Sequence, residues 1–162
     1  MTARPDLHGG AAHRVVWFDP ATSADPSPPF RAGWVTSFDW GDDGDVVTRA
    51  RVTIPPNSLH ALYGHGVVDA LNRLPQALGP IAPETDAVLR ATALSEASRV
   101  LYEADRTTYG RTWEFTVGGA GDDRAVEYRI AIDNREYQRT LSRLQYLVVL
   151  AGREGLAVRL RL

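Results

Sequence analysis

Cysteine and lysine are both missing from this 162-residue sequence, and methionine occurs once. Without cysteine the chain forms no disulfide, and it offers no thiol nucleophile and no thiolate ligand for zinc or an iron–sulfur cluster. Long apolar runs are missing too: the longest aliphatic run, residues 147–151, is far shorter than the ~20 residues of a membrane-spanning helix. No basic segment followed by an apolar one, as in a signal peptide, opens the chain. We therefore expect a soluble, cytoplasmic protein.

All 18 basic residues are arginine. Recognition of carboxylates or phosphates at one site would favour arginine locally, but it does not explain the absence of lysine from the whole chain. The codon usage of a GC-rich genome does, and we prefer that explanation. The net charge of −2 and the pI of about 6.1 give no basic field to attract nucleic acid or an anionic membrane. We expect neither of these as a partner.

The length and composition are typical of one globular domain with one core. Residues 1–12 have no apolar periodicity and are interpreted as a flexible leader, which leaves residues 13–162 as a single α+β domain. The proline-rich stretch 19–29 predicts a long exposed loop, and residues 75–83 predict a connector.

Alternation of apolar and polar residues predicts most of the strands. From Trp34 to Trp40 every second residue is apolar or threonine, and after Asp and Gly in residues 41–44 the alternation resumes over 46–54. Asp and Gly supply the positive φ that a tight turn needs, so this segment predicts a β-hairpin. Shorter alternating runs predict a first strand, a second hairpin and a terminal strand paired inside the sheet: residues 13–19, 113–117 with 126–132, and 156–162.

Residues 57–74 carry apolar side chains at three- and four-residue spacing, which predicts an amphipathic helix that Asn57 or Ser58 caps. Gly64 and Gly66 interrupt it, and each costs about 1 kcal/mol relative to Ala. Their presence indicates either a close approach by another element or a kink.

The same spacing predicts a second helix over residues 134–152, capped by Asn134 and ended by Gly152. Residues 84–105 are ambiguous, because Ala and Leu favour a helix while apolar residues also alternate. We predict helix in the first part and leave 98–103 open as a strand. Together these elements predict an α+β fold: an antiparallel sheet of about six strands, built from hairpins, with two or three helices packed mainly on one face.

His65 and Asp69 are candidate catalytic residues. Four residues apart on a helix, they share a face, so the carboxylate can orient the imidazole as a general base or metal ligand. Flanking glycines would give a substrate access to the ring. An ordinary pair on a helix surface has the same spacing, and we favour that interpretation.

The two predicted hairpin turns are acidic and suggest a partner-binding edge. Neither has the ligand spacing of a calcium loop, and ordinary turn preferences explain the Asp and Gly without an ion, which is the interpretation we favour. If both turns lie at one end of the sheet, they form an acidic edge that attracts a basic partner. Trp40 adjoins the first turn and is exposed if it belongs to that edge, but the strand pattern favours a core position for it and for Trp34. The candidate partner-binding residues are Trp40, Asp42, Asp43, Asp45, Asp122 and Asp123.

Arg135, Arg139 and Arg143 recur every four residues opposite the apolar stripe of the last predicted helix. Such a basic ridge is a candidate anion-binding surface, which Arg49 and Arg51 extend if the sheet meets the helix edge. A solvated helix face of mixed charge has the same pattern, and we favour it.

No dinucleotide, phosphate-loop, nucleophile-elbow or zinc-protease motif occurs in the sequence, and we predict neither a cofactor nor a metal. Our first hypothesis is therefore a non-enzymatic protein-binding module of bacterial inhibitor, immunity or adaptor type. The second is a small enzyme or ligand-binding protein with a pocket near His65. The third is a structural or regulatory homo-oligomer, such as a homodimer formed through the terminal strand or an apolar sheet face.

Overall fold

The computed structural model describes residues 14–18, 33–41, 43–116 and 126–162. The fold is α+β, as predicted. The predicted leader and the proline-rich loop lie outside the described residues. In chain order the strands are β1 (Arg14–Phe18), β2 (Gly33–Trp40), β3 (Val46–Ile54), β4 (Gln76–Leu78), β5 (Asp86–Leu89), β6 (Trp113–Thr116), β7 (Val126–Ile132) and β8 (Ala157–Arg161). The helices are α1 (Pro56–Gly64), α2 (Val67–Asn72), α3 (Leu94–Thr108) and α4 (Asn134–Glu154), with a short 3-10 turn at Ala91–Ala93.

The larger sheet is antiparallel and has the strand order β3-β2-β8-β5-β4. The hairpin of β2 and β3 is confirmed, with Gly33 opposite Ile54 and Trp40 opposite Val46. The C-terminal strand β8 lies at the centre of this sheet, between β2 and β5, which confirms that the terminal strand is paired inside the sheet.

A second sheet of three strands has the order β1-β7-β6. Its β6–β7 hairpin is antiparallel, as predicted, whereas β1 pairs with β7 in parallel. Local alternation did not predict this parallel pair or the division into two sheets, because residues 14–18 and 126–130 are far apart in the chain.

The helices cover one face of the larger sheet. α4 contacts β2, β3 and β8, α3 packs along α4, and α1 bridges to β6 and β7 of the second sheet. Between them lies one cluster of buried apolar residues, which indicates a single hydrophobic core. Members of this cluster from the sheet include Val35, Ile54, Leu89, Val158 and Leu160.

The predicted helix 57–74 is wrong as a continuous element. α1 ends at Gly64 and α2 begins at Val67, because Gly66 has a φ of 73° and so leaves the helical region. The kink suggested by the glycines is therefore present. Asn57 and Ser58 do not cap α1, whose N-cap position is Pro55.

Both candidate cap side chains reach toward α4 instead. Asn57 accepts a hydrogen bond from the backbone N–H of Asp133 and donates one to its carbonyl, at 2.8 and 3.0 Å. The Ser58 hydroxyl lies 2.8 Å from that of Thr140, and both residues are buried. These contacts fix the start of α1 against the start of α4.

In residues 84–105 the predicted order of elements is wrong. The first part, where we predict helix, holds strand β5, and α3 includes residues 98–103, where the alternation permits a strand. Alternation there was misleading, because Tyr102 is exposed while the buried residues of α3 follow helical spacing. They are Leu94, Ala97, Leu101, Ala104 and Thr108. The predicted connector also contains a strand, β4, which pairs with β5.

The limits of α4 differ from the prediction by a few residues. Asp133, not Asn134, caps the helix: its Oδ1 accepts hydrogen bonds from the backbone N–H groups of Arg135 and Glu136. The helix continues past Gly152 to Gly155, whose φ of 70° ends it.

Candidate functional site

The turn between β2 and β3 is closed by its own backbone. The N–H of Gly41 donates to the carbonyl of Asp45 at 2.6 Å, and the N–H of Gly44 donates to the carbonyl of Gly41 at 2.9 Å. Gly44 has a φ of 80°, as expected for a glycine at this position. A β-bulge between Ser37 and Phe38 shifts the register of the hairpin on the way to this turn.

Trp40 is 64% exposed at the end of β2, so the core position that the strand pattern favours for it is wrong. Its ring stands edge-on to the buried ring of Phe38, with centroids 5.4 Å apart. Its backbone N–H donates to Oδ1 of Asp39 at 2.9 Å. The indole is therefore exposed to solvent while it packs against the buried ring of Phe38.

Two exposed valines lie on β3 across from the end of β2. Val46 pairs directly with Trp40 and shares its face, whereas Val47 pairs with Asp39 on the other face, and each valine is 41% exposed. The sequence analysis did not single these residues out. We call this end of the hairpin the hairpin tip; it comprises Trp40, Val46 and Val47 with the exposed carboxylates of Asp39, Asp43 and Asp45.

Carboxylates outnumber cations at the hairpin tip. Arg49 approaches Asp39 at 4.0 Å, and both side chains are about half exposed, so this pair contributes little stability. Asp43 and Asp45 are exposed. Asp42, Asp122 and Asp123 lie outside the described residues, so a joint acidic edge of the two turns stays a prediction.

His65 lies at the break between α1 and α2, where three aromatic rings surround it. The ring centroids of Trp113, Phe115 and Tyr137 are 4.5, 5.0 and 5.3 Å from that of His65. Trp113 and Phe115 meet the imidazole edge-on, and Tyr137 stacks on it. We call these four residues the His65 cluster. They come from the α1–α2 break, β6 and α4, so only the tertiary fold brings them together.

The His65 cluster contains buried polar atoms that have no hydrogen-bond partner among the described residues: Nε2 of His65, Nε1 of Trp113 and the hydroxyl of Tyr137. Burial lowers the pKa of His65, which favours the neutral imidazole. Burial, and then the charge of Asp105, raise the pKa of Tyr137, so that its hydroxyl stays protonated.

Asp69 does not join this cluster. The chain leaves the helical conformation at Gly66, between His65 and Asp69, and Asp69 is exposed on α2. Among the described residues no hydrogen bond or ion pair links the two side chains, so the spacing argument for a catalytic pair loses its basis. The close approach suggested by Gly64 is present, because the ring of Phe115 lies against it.

Arg135, Arg139 and Arg143 are exposed along α4, as predicted for the ridge. The guanidinium of Arg51 does not extend this ridge. It lies 5.0 Å from the ring centroid of Trp34, on the face of the sheet opposite the helices. Arg159 lies over the same ring at 5.4 Å and is hydrogen bonded to Asp86.

Trp34 is half-buried, and the guanidinium groups of two arginines lie over its ring, so it does not belong to the core.

Arg51, Trp34, Arg159 and Asp86 lie on four neighbouring strands, β3, β2, β8 and β5. Local sequence spacing cannot predict this row of contacts.

Within the described ranges no group of three or more histidine or acidic side chains is placed to bind a metal ion. None of the helices described has both the length and the hydropathy to cross a bilayer. The chain matches no known protein family, no curated protein and no solved structure.

Proposed function

We propose that this protein is a non-enzymatic protein-binding module of the bacterial cytoplasm, which engages a basic surface of its partner through the hairpin tip. The observation that carries the proposal is the 64% exposure of Trp40 beside the exposed Val46, which pairs with it on the same face. Tryptophan is the residue type most enriched in the energetic centres of protein interfaces. An exposed apolar group of this kind is typical of an interaction site.

The packing of Trp40 supports a role in binding. Its edge-on contact with Phe38 and the hydrogen bonds that close the turn reduce the freedom of the indole before any partner arrives. Binding therefore costs little conformational entropy at this residue. Val46, on the same face, extends the apolar area that a partner covers.

The charges at the hairpin tip determine the kind of partner. Asp39, Asp43 and Asp45 are exposed at the hairpin tip, and Arg49 approaches Asp39 at 4.0 Å. Carboxylates at the rim of an interface accelerate association with a positively charged surface and disfavour an acidic one. An arginine or lysine of the partner can also stack on the Trp40 ring.

A pair of synthetic peptides tests this proposal: acetyl-RVRVTVR-amide and its charge-reversed counterpart acetyl-EVEVTVE-amide. Fluorescence anisotropy of labelled peptides measures their affinity for the wild-type protein and for Trp40→Ser. We expect the Trp40→Ser variant to bind the basic peptide at least about tenfold more weakly than the wild-type protein does, because one anchor of the interface is lost.

Tyr109→Ser is the matched control, because Tyr109 is a 74% exposed aromatic residue outside the hairpin tip. It should leave the affinity for the basic peptide unchanged. Equal losses in the two variants, or no binding of the basic peptide to the wild-type protein, contradict the proposal.

The His65 cluster supports a second candidate function, the binding of a small polar ligand. Its three buried polar atoms lack hydrogen-bond partners in the part of the chain that the structure describes, and leaving such atoms unpaired is energetically costly. Native mass spectrometry of untagged protein from its own cells tests this: a retained small adduct that is lost in Trp113→Phe supports ligand binding, and a bare mass in both contradicts it.

A further inference from the structure

A groove of about 620 Å³ lies between the edge strand β3 and the helix α4. Its volume is within the range of sites that bind small ligands or peptide segments. Arg51, Val52, Arg143, Tyr146 and Leu147 are among its lining residues. We call it the β3–α4 groove; none of its lining residues belongs to the hairpin tip.

Strand β3 borders the groove, and one of its edges is free of every other described strand. It pairs with β2 and lies at the end of the five-stranded sheet. Alternate backbone N–H and C=O groups of an edge strand point away from its neighbour and can pair with an added strand. The side chains of β3 are exposed over most of its length, so the edge is accessible.

The groove offers apolar surface on its α4 side. Tyr146 is 72% exposed, and Leu150 is half-buried next to the buried Leu147. These residues lie beside β3, where alternate side chains of an added strand would point. Apolar side chains of such a strand therefore have a surface to cover.

Arg143 brings a positive charge to the groove, and none of the described lining residues is acidic. Arg51 also lines the groove, but its guanidinium is held over Trp34 on the opposite face of the sheet, where the other half of the side chains of an added strand would lie. Stacking leaves the N–H groups of a guanidinium free to hold a carboxylate.

We propose that the β3–α4 groove binds an extended acidic segment of a partner protein, which adds to β3 as a further strand. Its apolar side chains cover Tyr146 and Leu147, and its alternate carboxylates face Arg51 or lie near Arg143. This is recognition by strand addition, in which backbone hydrogen bonds supply affinity and side chains supply specificity. The inference does not depend on the hairpin tip, which favours a partner of the opposite charge.

The same two peptides test the inference, because each site prefers a different one. Isothermal titration calorimetry should show that acetyl-EVEVTVE-amide binds the wild-type protein. Arg51→Ser combined with Arg143→Ser should weaken this binding at least about tenfold, as expected for the loss of two charge-assisted contacts.

Arg135→Ser combined with Arg139→Ser is the matched control. It removes the same charge from the arginine ridge of α4 without changing a residue that lines the groove. This double variant should change the affinity for the acidic peptide by less than about threefold, because it alters only the overall electrostatic field of the protein. Equal losses in the two double variants overturn the inference, since the acidic peptide would then respond to net charge alone.

Hydrogen exchange adds a readout that a purely electrostatic contact would not change. The acidic peptide should slow exchange of the amides in Val46–Ile54, because an added strand protects the free edge. No added protection in this strand overturns the inference. A dimer of the protein alone at micromolar concentration, with those amides already protected, also overturns it, because a second copy would then occupy the edge.

Discussion

Phe115 lies so close to Gly64 that a Cβ on the glycine would be 2.6 Å from the phenyl ring. The contact joins β6 of the small sheet to the last residue of α1, next to the α1–α2 break. Glycine at this place in α1 thus has a packing role: its missing side chain leaves room for the ring. The same ring contacts His65, so the contact also helps to position the His65 cluster.

Gly64→Ala should lower the free energy of unfolding by about 1–3 kcal/mol, because the new methyl group overlaps the Phe115 ring and forces the small sheet away from α1. Urea unfolding monitored by circular dichroism measures the loss. Gly152→Ala is the control within α4, since Leu94, its nearest neighbour from another element among the described residues, would be 3.6 Å from the new Cβ, an ordinary contact. That variant should be more stable by about 0.5–1 kcal/mol, because alanine favours the helix over glycine.

Replacing His65 by Phe should reduce the pH dependence of stability between pH 7.5 and 5.5. Burial lowers the pKa of His65 in the folded state below its ordinary value of 6.5, which the unfolded chain retains. As the pH falls through 6.5, the unfolded chain binds a proton before the folded protein does, and the free energy of unfolding decreases. Above about pH 7.5 the ring is neutral in both states, so this contribution vanishes.

Urea unfolding at both pH values measures this effect. Taking the difference in the free energy of unfolding between the two pH values removes any effect of the phenyl ring on packing that does not depend on pH. His60, whose pKa is also lowered by burial, is present in both proteins. If the wild-type protein and His65→Phe lose the same stability on acidification, His65 does not titrate as described.

The buried hydroxyls of Ser58 and Thr140 should behave as a coupled pair. Thr140→Val leaves the Ser58 hydroxyl buried without its partner and should cost about 1–3 kcal/mol. Adding Ser58→Ala should recover part of that loss, because both partners are then apolar. Additive losses in the double-mutant cycle would show that the hydroxyls do not interact.

Elements with strong local signals were predictable from the sequence. The β2–β3 hairpin follows from alternation and from a turn whose Gly44 adopts a positive φ. Strand β8 was expected inside the sheet because its apolar face is complete, and it lies there. In residues 84–105, helical and strand periodicities competed, and tertiary burial decided between them by placing Leu94 and Leu101 in the core and Tyr102 in solvent.

The candidate site was predictable only in part. Trp40 stood out because it adjoins the acidic turn, but its exposure depends on packing that no spacing rule supplies. The His65 cluster joins His65, Trp113 and Tyr137, which are far apart in the chain. Asp69 was selected by helical spacing alone, and the turn at Gly66 removes that relationship.

Trp40→Ser should cost about 1 kcal/mol of stability or less, because most of the ring is in solvent and only its contact with Phe38 is lost. Thermal and urea unfolding of the variant measure this cost. A loss above about 3 kcal/mol, typical of removing a core aromatic residue, would assign Trp40 a structural role.

A ¹H–¹⁵N NMR titration of the wild-type protein with acetyl-RVRVTVR-amide tests most directly whether the hairpin tip binds a basic partner. We expect the largest chemical-shift changes at the indole N–H of Trp40 and at the backbone amides of Asp43, Asp45, Val46 and Val47. Asp43→Asn combined with Asp45→Asn should reduce the affinity and its dependence on salt, since both carboxylates attract the peptide. Shifts confined to other surfaces, with the Trp40 indole signal unmoved at saturation, would contradict a binding role for the hairpin tip.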